Sequence, residues 1–315
     1  MIITENFVIL QQIVSRMIKV SVILPIYNVA PYLDEAFQSI LIQTLSDIEI
    51  IAVNDGSTDN GQEIIDRYAA QDSRIVAIRQ ENQGLSGARN TALLHARGEY
   101  IYMMDSDDVL SNPDSLRISY EYAKRTDADF IFFDAVRFSD SDKHFISDIR
   151  RTHLVEENKK YNGEYLLNLM LNNGTHNSAV WLLLINRNYM NRLGLIFYPG
   201  IIHEDELFTT ILTLSSQNIY CLQHSFVDHR VRSSSIMGIS YSERNINCYL
   251  TVADELLKFC HAPIIHQFLR YTLSKVFYTG HLIPRRQKPA VFWRALRSGY
   301  LKYIGLKSTL VFWLK

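Results

Sequence analysis

The chain has 315 residues, of which 47% are hydrophobic and 21% charged, so it can bury the core of one large or two modest globular domains. This composition excludes a disordered chain, and no apolar run reaches the roughly 20 residues of a membrane-spanning helix. The net charge is −1, and the three cysteines have no CxxC spacing, so we expect reduced thiols in a cytoplasmic protein without structural zinc.

The first 17 residues predict a short amphipathic extension outside the fold. Its apolar stripe consists of Ile3, Phe7, Leu10, Val14 and Met17. Met17 directly precedes the first predicted strand. Translation starting there, with the first 16 residues dispensable, is the alternative to a functional N-terminal arm.

From residue 19 onward the pattern alternates between strands and helices. The predicted strands are residues 20–24, 48–53, 74–78, 100–104 and 129–133, and the predicted helices are residues 31–43, 58–70, 85–96 and 113–125. Continuous apolar strands separated by helices indicate an α/β fold with a mostly parallel sheet that is covered on both faces.

The second half of the chain is less regular. Residues 139–160 are polar without a strong period and predict a loop, which is followed by a helix at 163–171 and a strand at 179–185. The acidic run that begins at Glu204 opens a further helix, and helices fill most of the chain after residue 240.

The C-terminal tail is strongly basic. Eleven Lys or Arg and no carboxylate follow Glu255. Apolar and aromatic residues recur there at helical spacing, namely Trp293, Leu296, Tyr300, Tyr303, Ile304, Leu310 and Leu314. Such a helix either lies on an anionic membrane leaflet or packs its apolar stripe on the protein's own core, and the sequence leaves both readings open.

Polar clusters follow three of the predicted strands. They are Pro25-Ile26-Tyr27-Asn28, Asn54-Asp55-Gly56-Ser57 and Asp105-Ser106-Asp107-Asp108. Because ligands of open α/β sheets bind beyond the carboxyl ends of strands, the three clusters predict one site. The last cluster supplies hard oxygen ligands that suit Mg²⁺ or Mn²⁺ holding a diphosphate, although an acidic turn that caps the next helix has the same composition.

These motifs resemble those of the family 2 glycosyltransferases with a GT-A fold, of the bacterial surface-polysaccharide type. The resemblance runs from residue 19 to about 237 and rests on the residues 22–28, 53–59, 82–90, 105–108 and 204–206 in family order. It implies a Rossmann-like nucleotide-sugar half at 18–138, an acceptor half at 139–238 and a helical basic region at 239–315. The family usually has two adjacent acids in its second motif, where this chain has Asn54-Asp55.

The resemblance also implies roles for individual residues. The expected contacts to the nucleotide-sugar are Pro25, Tyr27, Asp55, Ser57, Asn82, Arg89, Asp105 and Arg230. Asp107, with Asp105, would bind the metal ion. Asp205 would be the general base that deprotonates the acceptor hydroxyl, with Glu204 as the fallback.

Several of these side chains have structural alternatives. Arg89 either reaches inward to the diphosphate or the aspartates, or forms a surface salt bridge. Asp108 either caps the following helix or supports the metal site. His229 is a candidate extra metal ligand or a structural histidine, and Trp181 is a platform for the acceptor sugar or a core residue.

The resemblance, together with the basic tail, implies an inverting, metal-dependent glycosyltransferase at the inner face of the cell membrane. It would use a UDP-sugar and Mn²⁺ or Mg²⁺ and extend a surface glycan on a polyprenyl-diphosphate carrier, and we expect no nucleic-acid partner. A sugar-nucleotide nucleotidyltransferase is the first alternative, but the loop after the first strand, residues 28–31, has neither glycine nor a basic residue to hold a triphosphate. A non-catalytic sugar-nucleotide-binding module is the second.

Overall fold

A computed structural model describes residues 17–232 and 241–315, which form an α/β structure on one nine-stranded sheet. The strands are β1 (Val20–Ile26), β2 (Ile48–Asp55), β3 (Ile75–Gln80), β4 (Tyr100–Met103), β5 (Val109–Leu110), β6 (Phe130–Ser139), β7 (Phe145–Ile149), β8 (Leu183–Asn186) and β9 (Ile219–Val231). The predicted N-terminal stripe up to residue 16 and the predicted boundary at 238 lie outside the described residues.

The α-helices of the described residues alternate with these strands and then continue alone. They are α1 (Ala30–Leu41), α2 (Gly61–Gln71), α3 (Gly84–His95), α4 (Ser115–Thr126), α5 (Gly163–Asn172), α6 (Arg187–Leu193), α7 (Glu204–Leu214), α8 (Glu243–Phe259), α9 (Pro263–Thr279), α10 (Lys288–Arg297) and α11 (Leu306–Leu314). The α/β class and the helical C-terminal region are thus confirmed.

The strands lie in the order β3-β2-β1-β4-β8-β6-β9-β5, and β7 pairs with β6. The first four strands pair in parallel, as predicted, and β1 and β2 are buried along their whole length. Strand β8 runs antiparallel to both of its neighbours, β4 and β6, so the sheet as a whole is mixed.

Two apolar cores cover the two faces of the sheet. Phe37 of α1 and Ile65 of α2 pack on one face. Ala88 of α3 and Phe208 of α7 pack on the other. The helices that carry Arg89 and the Glu204-Asp205 pair therefore share one face, and this arrangement brings residues from distant parts of the chain to one edge of the sheet.

The predicted loop at residues 139–160 contains a strand. Strand β7 pairs antiparallel with β6, and the 3-10 turn Thr152–Leu154 follows it. The prediction missed β7 because this edge strand is exposed over most of its length and therefore has no apolar face to give a period of two. The strand predicted at 179–185 likewise begins with a 3-10 turn, Val180–Leu182, and only β8 is extended.

Helices α8 to α11 form a third apolar core that extends onto helices α5 and α7. Leu250 of α8 and Phe268 of α9 lie in this core together with Leu171 of α5 and Leu207 of α7. The C-terminal region is thus packed directly against the helix that carries Glu204 and Asp205.

One part of the apolar stripe of the basic tail packs on the protein's own core, and the other part is exposed. Tyr300, Tyr303 and Ile304 are buried in the third core, whereas Trp293, Leu296, Leu310 and Leu314 are exposed. The stripe lies on two helices, α10 and α11, separated by the 3-10 turn Tyr300–Tyr303. In the described ranges no helix is both long and apolar enough to cross a bilayer.

Candidate active site

The three polar clusters meet at one edge of the sheet, as the strand pattern predicts. Ile26 at the end of β1 pairs with Asn54 of β2, and Ile23 of β1 accepts a backbone hydrogen bond from Met104, just before the acidic run. The carboxyl ends of three parallel strands therefore form one continuous rim, and Pro25, Tyr27, Asp55, Ser57 and Asp105 lie along it.

Asp55 is buried at the end of β2 and organises the turn beneath the rim. Its Oδ1 accepts hydrogen bonds from Gln80 Nε2 at 2.7 Å and from the Gln83 amide at 2.8 Å. Asn82 Nδ2 donates to the Asp55 carbonyl at 3.0 Å. Gly56 has φ +74°, and a Cβ at this glycine would lie 2.9 Å from the Asn82 nitrogen, so the close approach of the two loops requires glycine.

Ser57 and Asn28 join the loops that follow β1 and β2. Ser57 Oγ accepts from the Asn28 amide at 3.1 Å, and Asn28 Oδ1 accepts from the Thr58 amide at 2.8 Å. Pro25 is buried in β1, whereas the Tyr27 side chain is 50% exposed. Tyr27 is therefore the ring in this pair of loops that is available to a planar ligand.

Arg89 stands at the centre of the acidic part of the site. Its Nη1 lies 2.8 Å from Glu204 Oε1 and 2.7 Å from Asp205 Oδ1, and its Nη2 lies 3.0 Å from Asp105 Oδ1. The side chain is only 1% exposed, and the guanidinium also lies 5.0 Å from the Phe197 ring centroid. Of the two readings of Arg89, the structure supports contact with the acids and not a surface salt bridge.

The charges of this cluster are unbalanced. Burial raises the pKa of both Asp105 and Glu204 to about 7, with nearby acids adding to the effect and Arg89 opposing it. Burial alone would lower the pKa of Arg89, but Asp205, Asp105 and Glu204 raise it. One cation faces three carboxylates, and the site therefore carries excess negative charge whenever all three acids are ionised.

Asp107 and Asp108 have different surroundings. Asp107 Oδ2 accepts from Arg232 Nε at 2.6 Å and lies on the accessible side of the rim. Asp108 is buried and accepts from His229 Nδ1 at 2.9 Å and from the Arg230 amide at 2.9 Å. Asp108 therefore holds the end of β9 and does not cap α4, which begins at Ser115.

Arg230 is surrounded by acceptors of the protein itself. Its guanidinium is held by Glu35 at 2.5 Å, Asp140 at 3.0 Å and the Asp107 carbonyl at 2.8 Å. The side chain is only 1% exposed, and its expected contact with a phosphate stays a prediction. The basic residue beside the Asp107 carboxylate is Arg232, which the same sequence motif contains.

His229 and Trp181 pack on each other. Their rings stack with centroids 4.8 Å apart and an interplanar angle of 16°. Trp181 is buried in the apolar core on one face of the sheet, which favours a role as a core residue over one as a platform for the acceptor sugar. The Nδ1 atom of His229 bonds to Asp108, which is the structural alternative for this residue.

The family of the chain follows from its similarity to known proteins. Residues 21–193 match the family described as glycosyl transferase family 2. The chain belongs to glycosyltransferase family 2. It is 35% identical over 230 residues to the uncharacterized glycosyltransferase EpsJ of Bacillus subtilis, a match that covers 70% of this chain and 64% of EpsJ, which is less than two thirds of that relative. It is 32% identical to the glycosyltransferase GlyG of Streptococcus pneumoniae, over 70% of this chain and 74% of GlyG.

Solved structures show the same fold. TarS of S. aureus, in complex with UDP-GlcNAc, is similar with a TM-score of 0.68 and 18% identity, over 93% of this glycosyltransferase and 90% of the TarS chain. The mannosyltransferase PcManGT of Pyrobaculum calidifontis, in complex with GDP-Man and Mn²⁺, is similar with a TM-score of 0.60 and 18% identity, over 90% of this chain and 77% of that one. At these identities the likeness establishes the GT-A type of fold.

Proposed function

We propose that this glycosyltransferase transfers a sugar from a UDP-sugar to a glycan acceptor with inversion at the anomeric carbon. The single observation that carries the proposal is the Arg89 cluster. It places Asp105, at the donor rim, and Asp205, at the start of α7, on one guanidinium. The acid that we expect on the ribose side of the donor and the acid that we expect to face the incoming hydroxyl are thus held by one buried guanidinium.

The donor would lie along the rim of β1, β2 and β4. Tyr27 offers an exposed ring for stacking on the base, and Asp55 with Asn82 lies below the expected position of base and ribose. Asp105 would face the ribose side. TarS binds UDP-GlcNAc, which supports a UDP-sugar for a chain with the same fold.

The carboxylates suit a divalent cation. Asp105 and Asp107 offer hard oxygen ligands, and the pKa of Asp105 is raised first by burial and then by neighbouring acids, whose negative charge a cation would offset. Within the described residues, no group of three or more His, Cys, Asp or Glu could hold a metal ion, so an ion at Asp105 and Asp107 would need further ligands from the diphosphate and water. When bound by Asp107 and Asp105, Mn²⁺ or Mg²⁺ would neutralise charge on the leaving diphosphate.

Asp205 is our proposed general base. Its Oδ1 is held by Arg89 and its Oδ2 accepts from the Val180 amide at 3.2 Å, so the carboxylate has a fixed orientation and remains 19% exposed to an acceptor. Glu204 is buried and carries a raised pKa, so we assign it the role of setting the charge beside Asp205. A base opposite the leaving group gives in-line displacement and inversion.

We further propose a lipid-linked acceptor and a peripheral position on the inner face of the cell membrane. Exposed Leu306, Leu310 and Leu314 lie four residues apart along α11, and exposed Trp293 and Leu296 lie on α10. The exposed bases of the same stretch of sequence are Arg285, Arg286, Arg297, Lys302 and Lys307. Exposed apolar residues and bases in one stretch, with no acid after Glu255, fit an anionic leaflet.

Point changes test the membrane proposal, because a deletion after Pro284 would remove Val291 and Tyr300 from the third core. We expect Leu310→Glu with Leu314→Glu to reduce co-flotation with phosphatidylglycerol vesicles while leaving UDP affinity unchanged. Leu94→Glu, at an 86% exposed leucine on α3, is the matched control. Equal flotation of the unaltered protein, the double variant and the Leu94→Glu control would refute the membrane contact.

The transferase proposal is tested with a panel of donors. Incubation with Mn²⁺ and UDP-glucose, UDP-galactose, UDP-GlcNAc or UDP-GalNAc should release UDP from one donor well above the others, and GDP-mannose should give no comparable release of GDP. UDP binding by calorimetry without turnover of any sugar, with candidate acceptors present, would favour the non-catalytic module instead.

A further inference from the structure

The residue before the proposed acidic pair has an uncommon backbone conformation. His203 has φ +64° and ψ 32°, in the left-handed region that residues other than glycine rarely adopt. It directly precedes α7, which begins at Glu204. The backbone of His203 therefore sets the direction in which α7 leaves the loop. Such conformations persist only where the surrounding structure holds them.

Helix α8 of the C-terminal region holds this residue. Asn245 Nδ2 lies 3.1 Å from His203 Nε2, and the Tyr249 ring stacks on the imidazole with centroids 4.5 Å apart. Cys248 Sγ accepts from the Ile202 amide at 3.4 Å. Because residues 245, 248 and 249 are three and four apart, one face of α8 makes all three contacts.

The capping box of α8 fixes the orientation of the Asn245 amide. Its Oδ1 accepts from both the amide and the Oγ of Ser242, each at 2.9 Å. The Nδ2 group is therefore the part that faces His203, and His203 Nε2 must accept. This requires a neutral imidazole with its proton on Nδ1. Burial lowers the pKa of His203, against the opposing effects of Glu206 and Asp205, which agrees with the neutral form.

We propose that His203 is a positioning residue, through which helix α8 aligns Asp205 with the acceptor hydroxyl. The inference rests on the proposed role of Asp205. Its chain of contacts is short, because Asn245 and Tyr249 hold the imidazole, the imidazole holds the left-handed backbone, and that backbone begins the turn that carries Glu204 and Asp205. The C-terminal helices are then a part of the catalytic apparatus.

The groups that face His203 define how it should titrate. They are Asp205 and Glu206 from α7 and Tyr249 from α8, while His176 bonds to Glu206 at 3.3 Å. The Asn245 amide is neutral, so a charge introduced at this position acts on the imidazole at hydrogen-bond distance.

The decisive variant is Asn245→Asp. One carboxylate oxygen keeps the capping box, while the other can only accept from His203 Nε2, so the neutral imidazole has to move its proton from Nδ1 to Nε2 and the hydrogen bond is reversed. As pH falls, the imidazole becomes protonated on both nitrogens, so Nδ1 regains its proton while Nε2 donates to the new carboxylate. We expect kcat at about pH 9 to fall about tenfold relative to the unaltered enzyme, with KM for the UDP-sugar within about twofold, because misalignment of a base affects the chemical step. The ratio of the two kcat values should return toward one by about pH 6.

Asn247→Asp is the matched control on the same helix. The Oδ1 of Asn247 accepts from Arg294 Nη1 at 3.1 Å, so this variant adds the same charge away from His203. Its kcat ratio should not vary with pH. A pH-independent ratio for Asn245→Asp as well would overturn the inference.

A second measurement does not depend on turnover. The pKa of His203 followed by imidazole NMR should rise in Asn245→Asp and stay unchanged in Asn247→Asp, and an unchanged value in both would also overturn the inference. Absence of turnover in the unaltered enzyme with every donor would instead count against the proposed function, and the NMR result would still decide whether α8 controls His203.

Discussion

Arg89 Nη1 lies 2.7 Å from Asp205 Oδ1, although the two residues are 116 positions apart in the chain. The same guanidinium binds Asp105, so one buried cation connects the end of strand β4 with the start of helix α7. This connection keeps Asp105, one of the proposed metal ligands, and the proposed base at a fixed separation before any substrate arrives.

Replacement of Arg89 should be costly for folding. Arg89→Met keeps much of the side-chain volume but leaves three carboxylates without their shared cation, and the loss of one partner from a buried ion pair costs about 3–5 kcal/mol. We expect the free energy of unfolding in urea to fall by about that amount. Arg67→Met, which removes an exposed partner of Asp34, should cost less than about 1 kcal/mol. Similar losses in the two variants would contradict the central role of Arg89.

Glu204 should make stability depend on pH. Its pKa is raised from 4.5 to about 7 by burial and by Asp205, so between these values the native state binds more protons than the unfolded chain. The free energy of unfolding therefore falls as pH rises from about 4.5 to 7, by up to about 3 kcal/mol for this group.

The Glu204→Gln variant lacks this titration, so its free energy of unfolding should fall less between about pH 5 and 8. Urea unfolding at a series of pH values measures the slope. Glu121→Gln, at an exposed acid of α4, serves as the control and should keep the slope of the unaltered enzyme. If the free energy of unfolding of Glu204→Gln depends on pH as steeply as that of the unaltered enzyme, groups other than Glu204 cause the dependence.

Asp107 should couple UDP binding to the metal ion. We expect calorimetry to show tighter UDP binding with Mn²⁺ than with chelator for the unaltered enzyme, since an ion held by Asp107 would offset the negative charge of the phosphates. Asp107→Asn should lose most of this difference, and Asp66→Asn, a change on the exposed surface of α2, should keep it. Metal-enhanced UDP affinity in Asp107→Asn equal to that of the control would exclude Asp107 as a ligand.

Gly163 should be essential for the packing of α5 against α7. A Cβ at this position would lie 1.6 Å from the Thr213 carbonyl oxygen near the end of α7, and backbone atoms cannot yield as a flexible side chain can. We expect Gly163→Ala to lower the melting temperature by many degrees. At Gly305 a Cβ would meet only Ser274 Oγ at 3.7 Å, so Gly305→Ala should change the melting temperature little. Equal melting temperatures would show that α5 can shift away from α7.

The sequence predicted the first half of the fold well because parallel strands buried on both faces are continuous apolar runs. The ends of those strands also predicted where Tyr27, Asp55 and Asp105 meet. Strand direction in the second half was not predictable. The pairing of β4 with β8 joins segments about 80 residues apart, and the pattern of apolar residues does not indicate whether two strands run parallel or antiparallel.

The sequence predicted which residues form the site better than it predicted the contacts that these residues make. Arg89 was expected to bind either the diphosphate or the acids, and only the packing of α3 beside α7 decides for the acids. Arg230 and Arg232 are two residues apart in β9 and its following loop, so alternation places their side chains similarly, and the difference lies in the distant partners Glu35 and Asp140. The proposed role of His203 depends on a contact with α8, 42 positions away in the chain, which no local sequence pattern indicates.

The most direct test is the Asp205→Asn variant, assayed for UDP release and UDP affinity with the preferred donor and Mn²⁺. This change keeps the shape of the side chain but removes its basicity, and general-base catalysis contributes about 10²–10⁴-fold. We predict a fall in kcat of about 100-fold or more with the Kd for UDP within about twofold. Unchanged turnover, or loss of UDP binding together with turnover, would contradict the assignment of Asp205 as the base.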